Sequence, residues 1–358
     1  MKNFILNLLL VILSICLTLA LLEITFRSLD IRGYHQPRTR DWEHALLPET
    51  KRLPGVNIQF KPNSQFELRY DSNPRGYFDQ NNGLIYHINK HGFRGPDYEK
   101  NKAPDTRRVI ILGDSFTFGE GVKFEHTFSY RLEKVLNQHS AWPVEVLNFG
   151  TSIWGTSDEI NYFEQAGIDF EPDLVILVYV LNDADYAGGL DLWDNFRNEY
   201  ENRDLKYSYL VSYFYATFKR QVYGQQYIDE LLDSAMREQF KWADSLNYLL
   251  KGRRLAEVIG AKYAVVVFPF MYELNEKYPF RPLHLMLSQY CASNDITSLD
   301  LFEAFQGEAY TTLWVHPSDQ HPNERGYQIA ADAIAEFILE NNLLLNLSAG
   351  ENIQTDYH

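Results

Sequence analysis

The feature that most constrains this chain is an unbroken apolar run, LVILVYV, at residues 174–180. A strand whose successive side chains are all apolar must be buried on both faces, which is typical of parallel sheets covered by helices. Shorter apolar runs and helical stripes alternate on either side of it. The predicted strands are residues 109–112, 144–148, 174–180, 263–268 and 296–299, and the predicted helices are residues 127–138, 159–166, 246–259 and 326–344. This alternation predicts an α/β domain built on a parallel sheet with right-handed crossovers.

The first predicted strand of this sheet ends in Gly113, Asp114 and Ser115. Open α/β sheets bind their ligands at the carboxyl ends of the strands, and a small residue there allows the backbone to turn sharply. Ser115 is therefore a candidate nucleophile, provided that a base lies elsewhere in the chain. A serine at this position is also typical of a helix N-cap, so both interpretations stay open on this residue alone.

The other chemically useful side chains follow the ends of other predicted elements. Asp319 and His321 lie two residues apart in a Pro- and Asn-containing loop just before the last helix, and a nucleophilic serine needs such a base with an orienting acid. Asn182 directly follows the central strand, and Gly150 and Gly155 follow the second strand. Their amide groups could stabilise an oxyanion at the same edge of the sheet.

Four segments resemble, in order, the sequence blocks of the SGNH/GDSL hydrolases. They are residues 113–115, 148–155, 181–183 and 319–323, and the resemblance covers residues 105–342. It implies a flavodoxin-like, three-layer α/β/α fold with five parallel strands, and the hydrolysis or transfer of ester-linked acyl groups without a metal or cofactor. By the same resemblance, Ser115 is the nucleophile, His321 the general base and Asp319 its orienting acid. The oxyanion donors would be the N–H of Ser115, an N–H of the second block and the side chain of Asn182.

The chain departs from the family pattern at two informative positions. The family acid stands three residues before the histidine, where this chain has Ser318. Asp319, two residues before it, resembles a variant in SGNH proteins that acetylate or deacetylate polysaccharides. The family's oxyanion glycine falls on Ile153, with Gly155 two residues later. A backbone N–H suffices for this role, but the larger side chain of Ile153 would narrow the acyl pocket and favour acetyl groups.

We therefore expect a serine-dependent esterase or acyltransferase, with O-acetyl groups of a polysaccharide or a small ester as substrate. Two alternatives stay open, namely a lipase or thioesterase acting at the membrane and a non-catalytic glycan-binding protein with the same fold. The net charge of -15 argues against nucleic acid as a partner, because that surface demands a basic face. It does not exclude a neutral glycan or ester.

The N-terminal segment, residues 1–30, is predicted to be a transmembrane anchor. Residues 4–22 are apolar except for three polar positions, and as a helix they span roughly 28 Å, close to the thickness of a hydrocarbon core. A cleaved signal peptide is the alternative, but the run ends in Ala20-Leu-Leu-Glu23, a poor cleavage site. We expect the body to be extracytoplasmic, although the arginines after the run favour the cytoplasm by the positive-inside rule.

The remaining segments complete the predicted domain organisation. Residues 31–60 are predicted to be a polar linker, 61–104 a β-hairpin extension, 105–345 the hydrolase domain and 346–358 a C-terminal tail. An aromatic-rich helical insertion at residues 186–242 leaves the carboxyl end of the central strand. Its rings could form a core of their own, or a lid or sugar-stacking platform.

Overall fold

The computed structural model describes residues 2–29, 31, 38–184, 207–237 and 239–344. The chain begins with helix α1 (Lys2–Ser28), whose residues 3–22 are exposed along their whole length. Within the described residues it is the one helix long and apolar enough to cross a membrane, a property that membrane anchors share with signal sequences.

An antiparallel sheet of three strands follows, formed by β1 (Thr39–Asp41), β2 (Gln65–Arg69) and β3 (Gly83–His87) in that spatial order. The β2–β3 pair lies where the hairpin was predicted, but β1 comes from the segment predicted to be a linker. That prediction is wrong for residues 38–60, because β1 pairs with β2 and the side chains of Trp42, Ala45 and Phe60 are buried. These apolar residues are too widely spaced to show a period, and only the tertiary fold brings them together.

This small sheet packs against the parallel-sheet domain through aromatic rings. The rings of Phe66 and Tyr86 lie 6.1 and 5.1 Å from the ring of Phe118. Just after β3, the guanidinium of Arg94 donates to the carbonyls of Phe118 and Gly119 at 3.1 and 2.6 Å. Residues 38–104, here called the N-terminal extension, are therefore fixed to the turn that carries Ser115.

The central sheet has five parallel strands in the spatial order β5-β4-β6-β7-β8. The strands are β4 (Arg107–Gly113), β5 (Val144–Gly150), β6 (Leu174–Tyr179), β7 (Lys262–Val267) and β8 (Thr297–Asp300). All six residues of β6 are fully buried, as its unbroken apolar sequence predicts. The strand order reverses beside β4, and in such sheets the ligand site lies at that reversal.

The helices that cover this sheet complete the predicted three-layer α/β/α fold, which is confirmed. They are α2 (Ser115–Phe118), α3 (Phe128–His139), α4 (Thr156–Tyr162), α6 (Gln239–Val258), α7 (Arg281–Ser293), α8 (Phe302–Phe305) and α9 (Glu324–Glu340). Helix α5 (Tyr209–Arg237) belongs to the insertion that follows β6. Helix α3 packs on α9, and α4 packs on α6. A short antiparallel pair, β9 (Trp314–His316) and β10 (Asp319–Pro322), precedes α9.

The chain divides into two compact units. One combines Met1–Gln36 with Ala187–Leu231, and the other combines Pro37–Tyr186 with Leu232–His358. The predicted insertion is helical where it is described, in α5 and the start of α6, while residues 185–206 and the predicted tail lie outside the described residues.

Candidate active site

Ser115 stands at the first position of α2, directly after β4. The N-cap of that helix is Asp114, whose carboxylate accepts a hydrogen bond from the N–H of Phe116 at 2.8 Å. Because Asp114 caps the helix, the hydroxyl of Ser115 is not used as a cap. Ser115 is half-buried, and its side chain faces the β9–β10 pair.

The structure brings Ser115, His321 and Asp319 together. Nε2 of His321 lies 2.8 Å from Oγ of Ser115, and Nδ1 of His321 lies 2.5 Å from Oδ1 of Asp319. Asp319 and His321 are both on β10, and alternate residues of a strand point to the same side. This is the physical reason why a spacing of two brings carboxylate and imidazole together. Ser318, at the family's usual acid position, bonds instead to Nδ1 of His316 at 2.8 Å.

The second oxygen of Asp319 is held by two side chains from the N-terminal extension. Its Oδ2 accepts a hydrogen bond from the hydroxyl of Tyr70 at 2.7 Å and lies 3.1 Å from Nη1 of Arg38. Burial by itself would raise the pKa of Asp319, but Arg38, His321 and Tyr70 outweigh it and hold that pKa well below its usual range. The carboxylate of Asp319 is therefore ionised in the folded protein at neutral pH.

Arg38 also forms an ion pair with Glu120, which in turn contacts the loop after β5. Nε of Arg38 lies 2.7 Å and Nε of Arg40 2.6 Å from Oε1 of Glu120. Burial raises the pKa of Glu120, but the two arginines more than reverse this and lower it to about 2. The other oxygen, Oε2, accepts a hydrogen bond from the hydroxyl of Ser152 at 2.9 Å. One buried ionic cluster therefore links Asp319 to the loop that follows β5.

Ile153, the next residue of that loop, has a backbone conformation that side chains rarely adopt. Its φ is 78°, in the left-handed region where a β-branched residue is strained. Ile153 thus keeps a glycine-like backbone at the position where the family has glycine. Its N–H donates no hydrogen bond to any described residue. By contrast, the N–H of Thr151 donates to the carbonyl of Gly113 at 3.1 Å.

Asn182 lies in the turn after β6 and contacts the same turn as the serine. Its Nδ2 donates to Oδ2 of Asp114 at 3.1 Å, and the second amide proton has no acceptor among the residues that the structure describes. Its Oδ1 is buried and has no partner among the described residues. Burial raises the pKa of Asp114, and its hydrogen bonds from Phe116 and Asn182 partly oppose that shift.

The two glycines considered as oxyanion donors are used elsewhere. The N–H of Gly155 donates to Oδ2 of Asp158 at 3.2 Å and begins α4. The N–H of Gly150 donates to Oδ1 of Asn148 at 2.9 Å. The structure therefore does not support Gly155 as a donor, because its proton already has a carboxylate acceptor within its own helix turn.

Three residues beside the site were missed by the sequence analysis, namely Arg38, Tyr70 and Glu120. Arg38 and Tyr70 lie far from the family-like segments and come from the extension. Glu120 lies five residues after Ser115, and its only signal is a charge within an otherwise apolar and glycine-rich stretch.

The sequence blocks and this geometry agree with a comparison against protein families. Residues 111–329 match the sequence profile of the GDSL-like Lipase/Acylhydrolase family, which is more than half of the chain. The chain belongs to this family and is a hydrolase that acts on ester bonds.

Solved structures that resemble this chain are distant from it in sequence. A catalytic mutant of an acetylxylan esterase from Geobacillus stearothermophilus is 17% identical with a TM-score of 0.41, and the match covers 67% of this chain and 96% of that chain. A member of the lipolytic protein G-D-S-L family from Veillonella parvula is 18% identical with a TM-score of 0.38, covering 64% of this chain and 97% of that chain. A comparison with curated proteins gives no match. Neither structural likeness assigns a substrate to this chain.

Proposed function

We propose that the enzyme transfers an acyl group through an ester of Ser115. His321 accepts the proton from Oγ as that oxygen attacks the ester carbonyl, and later returns it to the leaving alcohol oxygen. Asp319 holds Nδ1 of the imidazole and stabilises the imidazolium that forms. Water or a sugar hydroxyl then attacks the acyl carbonyl and gives its proton to the same imidazole. The bond between the acyl carbon and Oγ breaks, and the imidazole returns that proton to Oγ of Ser115. The distance of 2.8 Å between Ser115 Oγ and His321 Nε2 carries this proposal.

The oxyanion would be held by three donors, the N–H groups of Ser115 and Ile153 and the free amide proton of Asn182. Two of them are backbone groups fixed at the ends of strands, so they need no reorganisation as charge develops. The strained φ of Ile153 supports its role, because that backbone orientation persists despite the side chain. Gly155 is left out of the proposed site.

The proposed substrate is an O-acetyl group of a polysaccharide. Ile153 supports the acyl half of this proposal, because its side chain is half-buried at the loop where the family glycine leaves space. The spacing of Asp319 and His321 supports the carbohydrate half through its resemblance to SGNH proteins that modify polysaccharides. Hydrolysis and transfer to another sugar hydroxyl share every step up to the acyl-enzyme.

We further propose that α1 is an uncleaved anchor that holds an extracytoplasmic hydrolase domain at residues 105–345. The support is the exposed apolar surface of α1, which water would solvate poorly, and the poor cleavage site after it. Alkaline extraction of membranes tests the anchor, since an anchored chain stays in the pellet. Protease added outside intact cells tests the side, because only an extracytoplasmic body is cleaved.

The substrate proposal is tested by acetate release from acetylated glycans by the full-length protein in mild detergent. We expect release by the native enzyme and none above background by Ser115→Ala. Equal release by the two proteins, or none from any acetylated glycan or aryl acetate, contradicts the proposal.

A lipase or thioesterase is the second candidate, because α1 would keep the site close to lipid. Hydrolysis of p-nitrophenyl esters of increasing acyl length separates the two candidates. A preference for acetate supports the first candidate, and a preference for long chains supports the second.

A further inference from the structure

Helix α5 has an apolar stripe that none of the described residues covers. Val211, Phe214, Phe218 and Val222 follow one another at intervals of three and four residues, which places them on one face of the helix. Phe214 and Phe218 are 64% and 61% exposed. A continuous exposed apolar face of this kind is typical of an interaction surface.

The stripe is not the face by which α5 packs into the protein. Ser212, Ala216 and Leu231 are buried and lie on the other side of the helix, given 3.6 residues per turn. Helix α5 therefore has a buried face and, in its first half, a separate exposed apolar face. The buried face already accounts for the packing of α5 within the chain. The exposed apolar face therefore requires a separate explanation.

The apolar stripe is confined to the N-terminal half of α5. One and two turns beyond Val222, the same face carries Gln225 and Asp229, which are exposed and bond to each other at 2.9 Å. A coiled-coil partner would favour an apolar seam along the full helix. A stripe that is apolar only in the N-terminal half indicates that this half contacts an apolar environment while the rest of the helix stays in water.

The apolar end of α5 is attached to the end of α1. The carboxylate of Glu23 accepts hydrogen bonds from the hydroxyl of Ser208 at 2.8 Å and from the N–H groups of Tyr209 and Leu210 at 3.0 Å. The ring of Phe26 meets that of Tyr213 edge-on at 5.4 Å. Glu23 therefore caps α5 from a neighbouring helix and fixes the start of the stripe beside it.

Glu23 is also the first charged residue after the apolar run of α1. If that run spans the hydrocarbon core, Glu23 lies at the interface between lipid and water. The run itself is exposed throughout, so α5 does not pack back along it. Tyrosines, which favour this interface, are concentrated here at positions 207, 209, 213, 215 and 223.

We propose that the first half of α5 lies in the membrane interface, with Val211, Phe214, Phe218 and Val222 directed at the lipid acyl chains. This inference rests on the proposed anchoring by α1. The ligand class is a lipid bilayer, and the contact requires no particular headgroup. It gives the insertion a role in holding the enzyme against the membrane surface, separate from the chemistry at Ser115.

The test uses the full-length protein in phosphatidylcholine vesicles, with Cys16→Ala to remove the cysteine in α1. Phe214→Cys and Phe218→Cys are labelled with an environment-sensitive fluorophore; Cys291 is fully buried, and burial raises its pKa to about 11, so it stays unlabelled. Thr217→Cys and Glu230→Cys are matched controls on the same helix. Both are exposed, and both lie roughly 100° around the helix from the stripe, given 3.6 residues per turn.

We expect the labels at positions 214 and 218 to be quenched by lipids that carry a quencher high on the acyl chain, at the depth of about 5–10 Å typical of interfacial helices. The labels at 217 and 230 should instead be quenched by iodide in the water. Iodide quenching at all four positions, in protein that sediments with the vesicles, overturns this inference and leaves the anchor intact. Protein that does not sediment overturns both. Crosslinking between copies at 214 without lipid quenching assigns the stripe to a second chain and likewise overturns it.

Discussion

Nη1 of Arg38 lies 3.1 Å from Oδ2 of Asp319, the carboxylate that contacts His321. A cation from the start of the N-terminal extension thus neutralises the acid of the proposed triad. The same guanidinium bonds Glu120 through Nε. The extension is therefore part of the candidate site, and its removal should affect catalysis as well as packing.

Replacing Arg38 tests this coupling. For Arg38→Met we expect kcat/KM to fall by roughly tenfold to a hundredfold, because a hydrogen bond to a charged group contributes about 1.5–3 kcal/mol. The free energy of unfolding should fall as well, because Asp319 and Glu120 both lose a cationic partner. Ester hydrolysis at saturating and limiting substrate and denaturant unfolding measure the two effects.

The matched control for this variant is Arg40→Met. Arg40 bonds Glu120 as Arg38 does, and its guanidinium lies over the ring of Trp42, but no contact with Asp319 is recorded for it among the described residues. We expect Arg40→Met to lower the free energy of unfolding and to leave kcat/KM close to the native value. If both variants lower kcat/KM equally, the effect comes from the ionic cluster as a whole and not from the contact with Asp319.

The buried carboxylate of Glu120 should make stability depend on pH. Its pKa falls from 4.5 to about 2 on folding, so its contribution of about 3 kcal/mol is complete above pH 4.5 and is lost as the pH falls towards 2. Glu120→Gln removes that charge at every pH. Denaturant unfolding should show a stability gap to the native protein that is wide at pH 7 and narrows below pH 4.5.

Ser152→Ala is the control for this measurement. It removes the hydrogen bond to Oε2 of Glu120 and leaves both arginine contacts in place. We expect it to cost about 1.5–3 kcal/mol throughout the range from pH 7 to pH 3, as the loss of a hydrogen bond to a charged group does, because Glu120 stays ionised in the folded protein over that range. A gap for Glu120→Gln that stays constant from pH 7 to pH 3 would count against the ionic role of this residue.

Two substitutions of Ile153 separate its side chain from its backbone. Both Ile153→Ala and Ile153→Gly remove bulk, so both should raise kcat/KM for butanoate esters relative to acetate, by roughly tenfold or more per methylene accommodated. Only glycine adopts the left-handed φ without strain, so Ile153→Gly should be more stable than Ile153→Ala by about 1 kcal/mol. If the acyl selectivity is unchanged in both variants, Ile153 does not line the acyl pocket.

Asn182→Ala tests the oxyanion donor. We expect kcat to fall by about 10²–10³ while KM changes little, because the amide acts on charge that develops in the transition state. Asn161→Ala is the control, since its amide bonds the carbonyl of Gly55 and lies in α4 away from the serine. A loss confined to KM would mean that Asn182 binds the substrate and does not stabilise the oxyanion.

The sequence predicts the sheet well because its strands are marked by local apolar runs. The run at residues 174–180 corresponds to β6 and the adjoining Val180, all fully buried. Ser115 directly follows β4 at the carboxyl edge of the sheet, and His321 on β10 meets it there. Such features depend on short stretches of chain, and their geometry follows from strand and helix periodicity.

What the sequence does not predict depends on contacts between distant segments. Arg38 and Tyr70 reach Asp319 across separations of more than two hundred residues, and no local pattern marks them. Residues 38–60 look like a polar linker because their apolar side chains are sparse. The sequence suggests the N–H of Gly155 as an oxyanion donor, but in the structure that N–H donates to the carboxylate of Asp158, three residues later.

The central claim is that His321 activates Ser115 as a nucleophile, and covalent labelling tests it most directly. The full-length protein is treated with a fluorophosphonate, and the adduct is located by mass spectrometry of its peptides. We predict one adduct, on Ser115, formed rapidly by the native enzyme, slowly by His321→Ala and not at all by Ser115→Ala. An unmodified Ser115, or labelling at the same rate in His321→Ala, contradicts the claim.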